Sequence, residues 1–276
     1  MGRGDGIVSI EQAPGLLAPL FVPADRPERF AKAAASGADA VLIDIEDAVA
    51  PAGKAAARDG LAGLRPTAVP VIVRVNAPGT PWHDDDVALV AARPGLGLML
   101  PKAEDPALVA ALVARLGPGR AVVPLLETAL GVYRAVEIAR VPGVAQLAFG
   151  PADFCNDVAS DDSPEALLLA RSTLVLASRL GGLPAPLDGP CFDFRDGART
   201  TSEARHARSL GFGGKLAIHP AQVAWIGEAF APTAAELAWA RGVLAAGGEG
   251  GASGVAGMMV DAPILARARR VLSRAR

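Results

Sequence analysis

Short apolar runs alternate with longer, alanine-rich stretches along most of this chain. The apolar runs are rich in β-branched residues and have no regular polar face, which is typical of strands buried on both sides of a parallel sheet. Eight such runs occur, of which the seventh is weak, at residues 16–22, 38–45, 69–75, 96–100, 121–126, 144–149, 184–190 and 215–218. The pattern therefore predicts eight parallel strands.

The stretches between these runs have the length and composition of helices. Pro27 stands at a favoured first-turn position, and Gly37 follows as a stop signal. The predicted helices cover residues 27–36, 51–64, 84–92, 106–116, 128–139, 163–180 and 200–210. Eight strands alternating with helices predict an α/β fold of the (β/α)8 TIM-barrel type, although an open parallel sheet would show the same alternation.

The predicted barrel does not take up the whole chain. We expect a flexible N-terminal tail at residues 1–15, a TIM-barrel catalytic domain at 16–222 and a C-terminal helical extension at 223–276. Within the extension, residues 223–229, 234–246 and 264–274 are predicted to be helical, and the glycine-rich residues 247–257 are predicted to be mobile.

Composition and charge narrow the function classes. Of the 276 residues 51% are hydrophobic, enough for one large core, and the formal net charge of -2 does not attract nucleic acid. Cys155 and Cys191 form no Cys-x-x-Cys pair, which fits a reduced compartment. There is no signal-peptide pattern, and no apolar run approaches the roughly 18 residues of a membrane span. We expect a cytoplasmic protein that binds small molecules, without nucleic-acid or membrane partners.

Polar residues lie at or directly after the ends of six of the predicted strands. They are Asp44, Glu46 and Asp47 at the end of the second run, Arg74 and Asn76 at the end of the third, Lys102 and Glu104 after the fourth, Glu127 and Thr128 after the fifth, Asp153 after the sixth, and His219 after the eighth. In a barrel the carboxyl ends of the strands meet at one mouth, where active sites of this fold lie. The sequence therefore predicts one polar site there.

The residue types at this mouth indicate a kind of chemistry. Converging carboxylates repel one another unless a cation lies among them, and oxygen ligands with waters suit Mg²⁺. Arg74 can bind a substrate carboxylate through a bidentate contact. A metal ion beside it can polarise a carbonyl and stabilise a developing enolate. This combination serves carbon–carbon cleavage or formation beside a carbonyl, as well as other enolate chemistry.

Several of these residues also have plainer interpretations. An acid after a strand, such as Asp47, can simply cap a helix. Lys102 can be a Schiff-base lysine, but a structural or electrostatic role fits its setting better. His219 is expected to be a partly buried, hydrogen-bonded histidine rather than a catalytic base. His83 is placed in a polar loop before a helix, and His206 on a helix surface.

The ordered motifs of the chain resemble the citrate lyase β-subunit-like family, which includes malyl-CoA and citramalyl-CoA lyases. The resemblance begins with Leu-Phe-Val-Pro-Ala-Asp-Arg-Pro-Glu-Arg-Phe at residues 20–30. It continues through the blocks at 44–49, 74–76, 100–104, 126–128, 150–153, 213–215, 218–220 and 259–263. It extends from about residue 16 to the C-terminus, and implies a magnesium-dependent barrel that assembles as a homotrimer or hexamer.

The resemblance also implies roles for particular residues. Glu127 and Asp153 match the metal ligands, and Glu127 also lies against the substrate. Arg74 matches the arginine that binds the substrate's carboxylate or keto group. Asp261 matches an acid that a neighbouring subunit supplies as general acid or base.

Two further sets of positions match the family. Glu46, assigned here as catalytic, and Asp47 match acids near the metal and its waters. Arg26 and Lys32 match positions that contact the phosphates of coenzyme A. The chain departs from its relatives at residues 250–257, where many have an aromatic residue, and at Ala152, where close relatives can have an extra acid.

The function implied by this resemblance is that of a Mg²⁺-dependent carbon–carbon lyase or aldolase. It would cleave or form a 3-hydroxyacyl-CoA of the malyl-CoA or citramalyl-CoA type from an acyl-CoA and an α-keto acid. Three alternatives stay open: an aldolase acting on free pyruvate or oxaloacetate and an aldehyde, a malyl-CoA-type thioesterase, and a non-catalytic ligand-binding subunit of a lyase complex. The identity of the keto acid does not follow from the sequence.

Overall fold

A computed structural model describes residues 15–61, 63–64, 67–246, 253–255 and 258–275 of the chain. The chain divides into two compact units, Met1–Ala229 and Phe230–Arg276. The tail predicted to be flexible lies outside the described residues except for Gly15, and the glycine-rich segment predicted to be mobile is described only at Ser253–Val255. No helix within the described ranges is both long and apolar enough to cross a membrane.

Eight parallel strands form one sheet in the first unit, and each pairs with the next strand along the chain. They are β1 Leu20–Pro23, β2 Val41–Asp44, β3 Val71–Arg74, β4 Leu96–Leu100, β5 Val122–Leu126, β6 Ala148–Phe149, β7 Leu187–Asp188 and β8 Gly214–Lys215. The last strand also approaches the first, because the Phe21 N–H donates to the Ala217 carbonyl at 2.8 Å and Leu20 bridges Ala217 in parallel. The predicted α/β fold with eight parallel strands is therefore confirmed, and its curled sheet is consistent with a TIM-like barrel.

Helices follow the strands in the alternation that the sequence predicts. In the first unit they are α1 Phe30–Ala34, α2 Lys54–Leu61, α3 His83–Ala91, α4 Pro106–Leu116, α5 Ala129–Tyr133, α6 Ala135–Ala139, α7 Pro151–Val158, α8 Leu168–Leu180 and α9 Gly197–Leu210. Helix α10 Pro220–Phe230 begins in the first unit and ends at the first residue of the second.

Three details of the predicted helices are wrong. The first and second predicted helices begin as 3-10 helices, Pro27–Arg29 before α1 and Pro51–Gly53 before α2. The helix predicted at residues 128–139 is two short helices, because Arg134 leaves the helical conformation at φ -91° and ψ 10°. Helix α7 was not predicted, although Pro151 at its first turn is a start signal.

The core of the first unit explains the apolar runs. Leu42, Ile72, Met99, Val123 and Leu187 come from five strands and pack together inside the sheet with almost no exposure. The opposite faces of the strands are covered by helices, so strands such as β2, β4 and β5 are buried at every position. Burial of both faces is the reason that these strands lack the alternating pattern of a half-exposed sheet.

The second unit contains two helices, α11 Ala234–Ala246 and α12 Ala262–Ser273, and an antiparallel pair of strands, β9 Ser253–Val255 and β10 Met258–Val260. Ala240, Val243, Val260 and Ala268 form its small buried cluster. Asp261 caps the N-terminus of α12, because its Oδ1 accepts a hydrogen bond from the Ile264 N–H at 3.1 Å.

Strand register places the polar residues of the first unit. Asp44 at the end of β2 lies beside Pro23 of β1 and beside Arg74 of β3. Parallel strands that end together bring their next residues to the same edge, so the segments after β2, β3, β4, β5 and β6 meet at the carboxyl end of the sheet.

Candidate active site

The carboxyl ends of the strands surround a cavity of about 320 Å³. Its walls come from the strand ends and from the first turn of α7, and they include Phe21, Pro23, Asp44, Asp47, Arg74, Leu125, Glu127, Phe149, Gly150, Asp153, Pro190, Phe192, Leu216 and Ile218. A largely apolar wall with a few converging charged groups is typical of a small-molecule site.

Arg74 is held by Asp44 across the β2–β3 register. Its Nε donates to Asp44 Oδ1 at 2.8 Å and its Nη2 donates to Oδ2 at 2.6 Å. Burial lowers the pKa of Arg74, but the charge of Asp44 outweighs this effect, so the pKa is raised and the guanidinium stays charged. Phe21 supports the group from one side, with its ring centroid 4.9 Å from Cζ. Sequence reasoning selected Arg74 but missed Asp44 as its partner.

The remaining nitrogen of the Arg74 guanidinium faces two more acids. Nη1 lies 3.1 Å from Glu46 Oε2 and 3.6 Å from Asp47 Oδ2. The contact with Glu46 does not have hydrogen-bond geometry, and within the described part of the chain this buried Oε2 has no hydrogen-bond partner. Burial raises the pKa of Glu46 to about 7, although Arg74 opposes the shift. Glu46 contacts Arg74 without forming part of the cavity wall, whereas Asp47 lines the cavity and is exposed.

Glu127 is buried at the centre of this mouth. Its Oε1 accepts a hydrogen bond from the Lys102 N–H at 2.8 Å. On its other side is Gly150, where an added Cβ would lie only 2.4 Å from Glu127 Oε2, so a larger residue would displace the carboxylate. Burial raises the pKa of Glu127 to about 8, and the neighbouring Glu46 adds to the shift.

Lys102 and Asp153 complete the cluster. Asp153 lies in the first turn of α7 and is about a third exposed, and its Oδ1 is 3.5 Å from Lys102 Nζ. Burial lowers the pKa of Lys102, but Glu46, Glu127 and Asp153 outweigh it and raise the pKa above its ordinary value. A lysine that stays protonated is a poor Schiff-base nucleophile, so the electrostatic interpretation of Lys102 fits better.

Charge is unbalanced at this mouth. Asp44, Glu46, Asp47, Glu127 and Asp153 contribute five carboxylates, whereas Arg74 and Lys102 contribute two cations. Among these residues the excess is three negative charges when all the acids are ionised. Burial is the main cause of the raised pKa values of Glu46 and Glu127, and neighbouring acids add to it. Within the described ranges, no group of three or more His, Cys, Asp or Glu side chains could by itself hold a metal ion.

Other predicted site residues lie elsewhere. Arg26 and Lys32 are exposed after β1, and Arg26 contacts Asp25 at 3.8 Å. Neither lines the cavity. Asp261 belongs to the second unit and is exposed at the start of α12. The roles assigned to Arg26, Lys32 and Asp261 stay predictions.

Two of the three histidines, His219 and His83, differ from their predicted settings, whereas His206 lies on a helix as predicted. His219 is exposed rather than partly buried and stacks on Phe194, with ring centroids 5.2 Å apart. His83 is the buried first residue of α3 rather than part of a loop, and its Nδ1 lies 2.7 Å from the Asn76 carbonyl. His206 is half-buried on α9, and its Nε2 has no hydrogen-bond partner among the described residues.

A buried charge network near the site was also missed. Asp188 of β7 accepts hydrogen bonds from Arg171 Nε at 3.0 Å and from Lys215 Nζ at 2.9 Å, and Lys215 Nζ lies 3.3 Å from Glu203 Oε2. Arg171 Cζ lies 5.9 Å from the ring centroid of Phe149, which is a wall of the cavity. Lys215 was noted only as part of a motif, because nothing local in its sequence predicts a buried acid opposite it.

A curled sheet of eight parallel strands gathers acids around an arginine and a lysine at its carboxyl end, which is where barrel enzymes have their active sites. The family model described as HpcH/HpaI aldolase/citrate lyase matches residues 17–220. A citrate lyase subunit beta-like protein of Mycobacterium tuberculosis is 41% identical over 264 residues, which covers 93% of this chain and 94% of that protein. The chain therefore belongs to the HpcH/HpaI aldolase/citrate lyase family, and the predicted resemblance is confirmed.

Other relatives differ in their named activities. A (3S)-malyl-CoA thioesterase of Cereibacter sphaeroides is 35% identical and covers 92% of this chain and 91% of its own length. Citrate lyase subunit beta of Escherichia coli K12 is 34% identical and covers 93% of this chain and 92% of its own length. The family is thus shown, while the reaction is not fixed by it.

A solved structure supports the fold and names ligands. CitE of Mycobacterium tuberculosis in complex with magnesium, acetoacetate and coenzyme A superposes with a TM-score of 0.85 at 39% sequence identity, covering 95% of this chain and 99% of that one. A further CitE structure from the same organism contains magnesium and pyruvate. The magnesium and coenzyme A predicted from the sequence resemblance are thus present in structures of this family.

Proposed function

We propose that this chain is a Mg²⁺-dependent carbon–carbon lyase of the malyl-CoA or citramalyl-CoA type. It would cleave a 3-hydroxyacyl-CoA to an acyl-CoA and an α-keto acid, or catalyse the reverse condensation. The observation that carries the proposal is the convergence of Glu127 and Asp153 beside the paired Arg74 in one cavity. The magnesium, keto-acid and coenzyme A ligands of the CitE structures support it.

The residues present fit a magnesium ion. The carboxylates of Glu127 and Asp153 are close enough to share one cation, because both lie near Lys102 Nζ, at 3.9 Å and 3.5 Å. Their donors are oxygens, which Mg²⁺ prefers, and two carboxylates leave room for waters and substrate in an octahedral shell. The excess negative charge of the five carboxylates over the two cations also favours an added cation. Bound there, Mg²⁺ would polarise the oxygen of the keto group or of the hydroxyl that becomes it.

The side chains of the cavity would then act on the substrate. Arg74, fixed by Asp44, would bind the carboxylate or keto oxygen of the keto acid through Nη1, in competition with Glu46 and Asp47. In the cleavage direction, the hydroxyl proton passes to a base, the carbon–carbon bond breaks and its electron pair moves to the thioester α-carbon. Asp261 of a neighbouring subunit protonates that carbon, and in the condensation direction it removes the proton. This role of Asp261 requires the homo-oligomer that the sequence resemblance implies. Arg26 and Lys32 would lie near the phosphates of coenzyme A.

Product analysis separates lyase from thioesterase activity. We expect malyl-CoA with Mg²⁺ to give equimolar glyoxylate and acetyl-CoA, detected by chromatography, and citramalyl-CoA to give pyruvate and acetyl-CoA. Malate and free coenzyme A would instead show the thioesterase reaction, which the 35% identical relative makes the second candidate. Turnover of free pyruvate with an aldehyde, together with no calorimetric binding of coenzyme A, would contradict the proposal and favour a free-keto-acid aldolase.

The Asp44–Arg74 pair predicts a specific substrate effect. Asp44→Asn removes the charge that fixes Nε and Nη2 of Arg74, so we expect kcat/KM to fall by about 10- to 100-fold, the equivalent of one charged hydrogen bond. Steady-state kinetics with the keto acid as varied substrate measures it. Asp85→Asn is the matched control, because Asp85 contacts Arg58 at 3.3 Å on the exposed surface and should not affect turnover. Equal kcat/KM in Asp44→Asn and wild type would show that Asp44 does not position Arg74.

A further inference from the structure

The ammonium group of Lys102 lies within 4 Å of three carboxylates. Lys102 Nζ lies 3.4 Å from Glu46 Oε1, 3.5 Å from Asp153 Oδ1 and 3.9 Å from Glu127 Oε1. These acids follow three different strands, β2, β5 and β6. Glu46 and Glu127 have side chains only 8% and 2% exposed, whereas Lys102 is 39% exposed. Lys102 is not part of the cavity wall, so its half-exposed side chain reaches Glu127 and Asp153 from outside that wall.

The backbone of Lys102 also takes part. Its φ of 47° is in the left-handed region, which among the described non-glycine residues is shared only with Ala159. This conformation directs the Lys102 N–H to Glu127 Oε1 at 2.8 Å, so main chain and side chain approach the same acids. A side chain held in such a backbone conformation indicates that the surrounding structure constrains the position.

We propose that Lys102 is the resident counter-cation of the Glu127–Asp153 pair, and that its ammonium competes with Mg²⁺ for these carboxylates. This inference rests on the proposed function. Magnesium binds carboxylate oxygens at about 2.0–2.1 Å, which would place the divalent charge close to Lys102 Nζ. Two like charges at that separation repel strongly in a partly buried site. The ammonium must therefore move aside when the metal binds, either towards Glu46 or towards the cavity opening.

This arrangement links the metal to the substrate. In the absence of keto acid, the repulsion by Lys102 weakens Mg²⁺ binding. An incoming keto acid brings its own carboxylate, which the displaced ammonium can pair with at the cavity opening. Lys102 thus lowers the affinity for Mg²⁺ and raises the affinity for the anionic keto acid. Mg²⁺ and the keto acid therefore bind more tightly together than either does alone.

Calorimetry on the full-length, metal-stripped protein tests this role. We expect Lys102→Met and Lys102→Gly to bind Mg²⁺ about tenfold more tightly than wild type, and pyruvate at saturating Mg²⁺ about tenfold more weakly. Lys102→Arg keeps the charge and should restore both affinities to within about threefold of wild type. Glycine adopts positive φ without strain and keeps the N–H to Glu127, so agreement between the Met and Gly variants assigns the effect to the ammonium.

The control and the contrary outcomes are distinct. Arg134→Met removes a half-buried cation that donates to the Glu104 carbonyl and does not line the cavity, and it should leave Mg²⁺ affinity unchanged. Unchanged or weaker Mg²⁺ binding in both Lys102→Met and Lys102→Gly would overturn the proposed competition. Removal of a purely structural lysine would lower the affinity for both Mg²⁺ and pyruvate. Absence of saturable Mg²⁺ binding in the wild-type protein, with or without pyruvate, would instead overturn the metal site itself, and the role of Lys102 with it.

Discussion

Glu127→Gln should lower kcat/KM by about 1,000-fold or more while leaving the protein folded. Glutamine keeps the shape of the side chain and an oxygen that can accept the Lys102 N–H, but it removes the charge that a magnesium ligand needs. A metal ion contributes several kcal/mol of transition-state stabilisation, and about 4 kcal/mol corresponds to this factor. Because burial raises the pKa of Glu127 to about 8, its ionised form is costly to hold in the fold. The neutral amide should therefore not lower the melting temperature.

The measurement pairs steady-state kinetics with thermal unfolding and Mg²⁺ calorimetry. Glu104→Gln is the matched control, since Glu104 follows the neighbouring strand β4 but does not line the cavity. It should keep wild-type turnover and Mg²⁺ affinity. Magnesium-dependent turnover at the wild-type rate in Glu127→Gln would remove Glu127 from the metal site, and a loss of folding would leave Asp153→Asn as the second variant with the same expected loss of Mg²⁺ binding.

Much of the fold was predictable because burial of both strand faces leaves a strong local pattern. Strands β4 and β5 coincide with uninterrupted apolar runs, and β2 is apolar up to Asp44, since every position of these strands is buried. Strands β6, β7 and β8 have only two residues each, so their runs predict position better than length. Helix α7 was missed because polar residues such as Asp153 and Asn156 interrupt its apolar pattern directly after a strand.

The site was predictable in position and less so in its contacts. Glu127 and Arg74 were found because a polar residue at the end of a buried strand must face the mouth of a barrel. The pairing of Asp44 with Arg74 depends on how β2 and β3 align, and that register is set by packing along the whole strands. The central position of Lys102 depends on its own left-handed backbone conformation, which no local pattern of residue types predicts.

The buried network around Asp188 predicts the largest stability effect. Asp188→Ala leaves Arg171 and Lys215 buried without their shared acid, and removing one partner of a buried ion pair costs about 3–5 kcal/mol. The free energy of unfolding of a typical domain is only about 5–15 kcal/mol, so this variant should unfold at much lower urea concentration. Because β7 pairs with both β6 and β8, the loss should extend to the strands beside the cavity.

Acid should reduce the difference in the free energy of unfolding between Asp188→Ala and wild type. Burial raises the pKa of Asp188, but Lys215 and Arg171 outweigh it and hold the pKa below the ordinary 3.8. A lowered pKa means that the stabilisation is present above the unfolded value and is lost as pH falls through the folded value. Arg199→Ala is the control, because its pair with Glu203 is 55% exposed on the arginine side and should contribute little to the free energy of unfolding. The measurement is urea unfolding at pH 7. If Asp188→Ala lowered the free energy of unfolding by less than about 1 kcal/mol, the network would have no large stabilising role. Arg171 and Lys215 would then be tolerated in the core without Asp188.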